Sequence, residues 1–145
     1  MRLFVLIISI FLYSCASEVE NEDLVGAWEL LYDGQGDYWF SHVAFTASGE
    51  KCTISYSFDK NKELSASYYL STYNLENNEL TVKVVQSSSP YVNVGEEIKD
   101  KILNFNQNAF AMKMYYPIVG SSVDRFIKLE DIKVSSICSV VKNNS

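Results

Sequence analysis

The sequence predicts an all-β protein, an up-and-down antiparallel meander of eight to nine strands that closes into a barrel. Three observations carry this: short runs rich in aromatic and β-branched residues recur along the chain, turn residues separate them about every 8 to 12 residues, and long apolar helical faces are few. A meander leaves two edges of unpaired backbone, and closing on itself is the usual way to remove them. A two-sheet sandwich is the rival, because alternation does not say whether the first and last strands pair.

The elements follow in order. A first strand at 25–32 ends at "DGQGD", whose two glycines suit a tight or irregular loop. "YWFSHVAFT" is next and turns at "ASGEK", where Gly49 can take a positive φ. "CTISYSF" alternates cleanly, with Cys52, Ile54, Tyr56 and Phe58 on one face and Thr53, Ser55 and Ser57 on the other, so one face is buried and one is wet. "DKNKE" leads into "LSASYYLSTY", and Asn77-Asn78, which tolerate the left-handed region, form a hairpin into "LTVKVVQ". "SSSPYVNVGE" is the longest loop candidate. "EIKDKILNF", a turn at "NQN" and "AFAMKMYY" come next; "PIVGSSV" breaks the pattern and "DRFIKLEDI" closes the set. A short helix at 21–24 has no long apolar face behind it, and no repeat of 20 to 50 residues stands out.

The N-terminus reads as a secretory signal: Arg2, then the apolar run "LFVLIISIFLYS", too short to cross a bilayer. Leu12-Tyr13-Ser14-Cys15 resembles the lipobox of bacterial lipoproteins, with Tyr13 bulkier than is usual there. The resemblance implies cleavage before Cys15, acylation of that residue and essentially permanent attachment to a membrane of the cell envelope, most simply the outer one. "ASEVENED", with four carboxylates in eight residues, is expected to be a flexible tether. The organisation expected is therefore a signal at 1–14, a lipidated cysteine and tether at 15–22, and one barrel domain with a C-terminal tail at 23–145.

Removing residues 1–14 takes away one base and no acid, so the formal charge moves from −6 to −7. Without a basic run, such a chain does not bind a nucleic-acid backbone. Cys52 and Cys138 remain as an even set in an exported protein, either a disulfide or two buried thiols. A bond would pin the tail "IKVSSICSVV" to the strand holding Cys52.

"DLVGAWEL" places Gly26-x-Trp28 at the head of the first strand, which resembles the signature of lipocalins and of small bacterial lipocalin-like lipoproteins. "VAFTASGE", the paired patterns "YNLENNELTV" and "DKILNFNQNAFAMKM", and Arg125 on the last strand extend the resemblance over most of 23–130. It implies a calycin barrel in which Trp28 plugs one end and Arg125 lies across its indole. It also implies a C-terminal cysteine tied back to the barrel, hence Cys52 with Cys138.

No nucleophile–base pair, phosphate loop, metal set or cofactor motif is legible, so the expectation is a binding protein and not an enzyme. The lone His42 reads as structural, and Glu96, Glu97 and Asp100 as a solvated rim. The 10 Tyr, 8 Phe and 2 Trp suit either a packed core or the wall of an interior site for a small hydrophobic or amphipathic ligand. Tyr38, Trp39 and Phe40 at a mouth, with Phe110, Met112 and Met114 along a wall, are the pocket candidates. The alternative is a filled barrel whose surface binds a protein, as an inhibitor or immunity protein of a lytic enzyme would.

Overall fold

The computed structural model describes residues 18–31, 39–58, 61–120 and 122–145. Eight antiparallel strands follow one another around a closed barrel: β1 (Gly26–Leu31), β2 (Trp39–Phe45), β3 (Glu50–Phe58), β4 (Leu64–Glu76), β5 (Glu79–Ser87), β6 (Glu97–Asn106), β7 (Ala109–Tyr116) and β8 (Asp124–Lys128). A one-turn helix α1 (Asn21–Leu24) precedes the barrel and α2 (Val134–Asn144) ends the chain. Closure comes from β8 pairing with β1, Trp28 opposite Lys128 and Leu31 opposite Arg125. Among the described residues no sheet edge is left for a second chain to extend, and the sandwich is excluded.

The turn chemistry acts as its residues dictate. Asn77 and Asn78 take φ of 52° and 62° in the two-residue β4–β5 hairpin, and Gly49 takes 82° between β2 and β3. Because consecutive strands alternate in direction, the turns at 46–49, 77–78 and 107–108 lie with α1 at one end of the barrel. The strand ends Leu31, Trp39, Phe58, Leu64, Ser87, Glu97, Tyr116 and Asp124 lie at the other. We call these the plugged end and the loop end.

Two apolar layers hold the molecule together. The inner one fills the plugged half of the lumen with Leu24, Trp28, Val43, Phe45, Tyr73, Leu75, Leu80, Val82, Ile102, Phe110, Met112 and Phe126. Phe110 stacks on Phe126 at 4.3 Å and meets the edge of Trp28 at 4.8 Å. The outer layer joins Ala27, Ala44, Cys52 and Ile54 of the sheet to Ile137, Cys138 and Val141 of α2. Those three helix residues fall on one stripe, which explains why the tail is helical. Cys52 and Cys138 are bonded, with their Cα atoms 5.2 Å apart.

Three expectations are corrected here. The alternation of β3 is real, but its apolar face looks outward: Phe45 is in the inner core and pairs with Lys51, so Lys51, Thr53, Ser55 and Ser57 face the lumen, while Cys52 and Ile54 are covered from outside by α2. The tail, expected only to be pinned, is a helix. The segment from Glu18 onward is not a loose tether but part of the fold. Val19 is buried and donates its N–H to Asn78 Oδ1 at 3.1 Å, Asn21 Oδ1 accepts from Leu75 N–H at 3.0 Å, and Leu24 is fully buried. Its carboxylates act as local caps, Asp23 accepting the N–H of Glu20 at 2.9 Å.

Candidate functional site

The Gly-x-Trp pair has a direct physical cause. Gly26 takes a φ of 151°, and a Cβ there would come within 3.4 Å of Lys128 Cε. That close approach lets the Lys128 chain lie over the strand, its Nζ 5.3 Å from the Trp28 ring centroid. Trp28 is fully buried and donates its indole N–H to the Leu24 carbonyl at 2.8 Å. The expected partner was Arg125, and this is corrected. Phe126 is buried in the lumen, so its neighbours Arg125 and Ile127 stand on the outer face and are exposed, and Lys128 is the cation over Trp28.

Above this plug the lumen changes character. Thr53, Ser55 and Ser57 of β3 pair in register with Val43, Ser41 and Trp39 of β2 on one side and with Tyr69, Ser67 and Ser65 of β4 on the other, all on the inward face. Ser41 and Ser71 are buried, whereas Ser57 and Ser65 toward the loop end are exposed. Neighbouring hydroxyls bridge strands, Ser41 to Ser55 at 3.2 Å and Ser57 to Ser65 at 2.8 Å. Where the two halves meet stands a charged group. Asp100 is 3% exposed and sits opposite Met114, Asp124 sits opposite Met112, and Lys51 reaches both carboxylates electrostatically from across the barrel.

Burial pushes the Asp100 carboxyl up to about 6, with the Asp124 charge adding to it and Lys51 opposing. Burial also raises Asp124 against Lys51. The Lys51 ammonium is lowered by burial, and both carboxylates resist that change. Two carboxylates share one ammonium, so the floor of the polar half tends to net negative charge.

The loop end is apolar at its tips. Tyr91 is 88% exposed, Ile118 72%, Val119 71% and Val94 65%, with Leu64 and Tyr116 about half exposed. Grooves of about 340 and 450 Å³ flank the N-terminal segment outside the barrel, at the plugged end; the first has a mixed lining that includes Glu18, Asn78, Ile102 and Phe105, and the second is mainly polar, with Glu18, Glu22, Glu76 and Asn77.

Of the pocket candidates, Trp39 pairs with the lumen-facing Ser57 near the loop end. Phe40 does not face the lumen; it stacks on Tyr56 at 4.8 Å on the outer wall, with His42 edge-on to the same ring at 5.4 Å. Phe110 and Met112 are packed core and not the wall of an open site, while Met114 is partly buried beside Asp100. Tyr38 and Cys15 lie outside the described residues. Asp100, read as a rim residue, is inside. The signal was present in "EIKDKILNF", where Ile98, Asp100 and Ile102 share a parity. Among the described residues, no three His, Cys, Asp or Glu side chains are grouped to hold a metal ion.

No family model and no curated protein matches this chain. Among solved structures it is similar to the crystal structure of an uncharacterized protein from Bacteroides eggerthii DSM 20697, with 18% identity and a TM-score of 0.40, over 73% of this chain and 99% of the other.

Proposed function

We propose that the chain is an envelope lipoprotein, anchored through Cys15, whose lipocalin-like barrel is a binding module without catalytic chemistry, working at its loop end. The ligand that fits is small and amphipathic. Its polar part hydrogen-bonds to the lumen hydroxyls above Asp100, Asp124 and Lys51, and its apolar part meets the loop tips. The observation that carries this reading is the coincidence at one end of a polar lumen and the exposed Tyr91, Val94, Ile118 and Val119. A wholly apolar guest fits poorly. The apolar half is occupied by Trp28, Phe45, Phe110 and Phe126, and leaving a buried polar group unpaired costs about 1 to 3 kcal/mol.

A protein partner is the second reading, favoured by the same loop tips, since clustered exposed apolar side chains mark interaction sites. The acidity of the chain would then steer a basic partner.

Native mass spectrometry separates the two. The domain from Ala16 onward, purified from an envelope-containing extract without detergent, is expected to carry an added mass that denaturation removes. A double variant Lys51→Met, Asp100→Asn is expected to lose it. A clean apo mass for the unmodified domain would set the small-ligand reading aside in favour of the protein partner.

A further inference from the structure

The course of the N-terminal segment sets how the barrel stands on its membrane, an inference that rests on the anchor at Cys15. From Glu18 the chain is bound to the plugged end: Val19 and Leu24 are buried, Val19 N–H is held by Asn78, Asn21 holds Leu75 N–H, and Leu24 C=O accepts from Trp28. These contacts tie it to the β4–β5 hairpin, to β4 and to β1, so releasing it would disrupt the inner core. Only Ala16 and Ser17 separate Cys15 from Glu18. Three residue steps span at most about 11 Å. A lipid on Cys15 therefore keeps the plugged end within roughly one nanometre of the headgroups.

The loop end lies a barrel's length away. Nine residues of β3, at about 3.3 Å each and tilted by about 40°, rise roughly 20 Å. We infer that the anchored protein stands with its plugged end to the bilayer and presents the loop end, with its polar lumen and apolar tips, to the aqueous side. The exposed Glu18, Glu20, Glu22, Asp23, Glu76 and Glu130 surround the tethered end. They keep it from lying flat on an anionic surface, because like charges repel over a Debye length. Ligand or partner thus arrives from the water and not from the membrane that carries the anchor.

The test uses the full-length protein, lipidated by its host and reconstituted into vesicles of phosphatidylethanolamine and phosphatidylglycerol bearing a headgroup energy acceptor. A donor dye is placed at Asn77→Cys or Gln107→Cys at the plugged end, or at Tyr91→Cys or Ile118→Cys at the loop end. Cys15 and the bonded pair leave each new thiol as the labelling site. Transfer at the plugged end is expected to exceed that at the loop end several-fold. A ten-residue glycine–serine insertion after Ser17, adding roughly 17 Å of reach, is expected to erase the difference.

Equal transfer without the insertion, from a chain whose mass shows lipid on Cys15, overturns the orientation and leaves the anchor standing. Stronger transfer at the loop end overturns it too and makes the apolar tips a membrane-inserting surface. A chain with no lipid on Cys15 removes the anchor and, with it, this inference.

Discussion

The two halves of the lumen are built from the same eight strands and obey opposite rules. At the plugged end, Trp28, Phe45, Phe110 and Phe126 interdigitate as a dry core. Toward the loop end the same strands turn serines and threonine inward, and the boundary is the Lys51, Asp100 and Asp124 group. The plugged half holds the aromatic packing, and the loop half holds the inward-facing hydroxyls above the ionisable group. Burying Lys51, Asp100 and Asp124 costs free energy, which the attraction between the ammonium and the two carboxylates offsets in part.

The largest effect expected from this contrast is between the two tryptophans. Trp28→Ala removes a fully buried ring with two aromatic neighbours and should cost about 3 to 5 kcal/mol, as large core truncations do. Trp39→Ala, at the partly buried loop end, should cost clearly less. Urea unfolding of both variants checks this, and a Trp39 loss equal to that of Trp28 would mean the loop half is packed as a core.

The next contrast has the opposite sign. The carboxyl of Asp100 is raised in the folded state to about 6 from an ordinary value near 3.8, with burial the main cause. The native state therefore binds this proton more tightly than the unfolded chain. The associated stability is full below about pH 4 and is lost as pH rises through about 6. Asp100→Asn should accordingly stabilise the protein at pH 7 by about 2 kcal/mol and flatten its stability between pH 4 and 6. Thermal unfolding across that range measures both. Destabilisation at pH 7 would show that the ionised carboxylate is held by Lys51 more strongly than burial disfavours it.

Period-two patterns are legible in sequence because they follow from the pleat, and they recovered the strands, the Asn77-Asn78 hairpin and the Gly49 turn. What they do not encode is which face of a strand looks inward. On β3 the apolar set Cys52, Ile54 and Tyr56 was visible, yet it is buried beneath α2, and the serines thought to be wet line the lumen. The deciding fact is tertiary: a helix 86 residues away, bonded through Cys138, covers the outer wall. The same ambiguity of parity hid Asp100 and misassigned Arg125. Of the candidate site, the aromatic plug was therefore readable, and the charged floor was not.

The smallest contrast tests that parity on β8. Lys128 lies over Trp28 with its ammonium 5.3 Å from the ring, so Lys128→Met, which keeps the aliphatic cover and removes the charge, isolates the cation–π part. A loss of about 0.5 to 1 kcal/mol is expected. Arg125→Ala, on the exposed outer face, should cost less than Lys128→Met and leave Trp28 fluorescence unchanged. The two substitutions sit three residues apart on one strand, so differences in strand propensity are minor and the result reads side-chain direction. If Arg125→Ala proved the more damaging and also quenched or shifted Trp28 fluorescence, β8 would be in the opposite register to the one that seats Phe126 in the core. Closure of the barrel between β1 and β8 would then have to be redrawn, because Leu30 and Phe126 could no longer face each other across that seam.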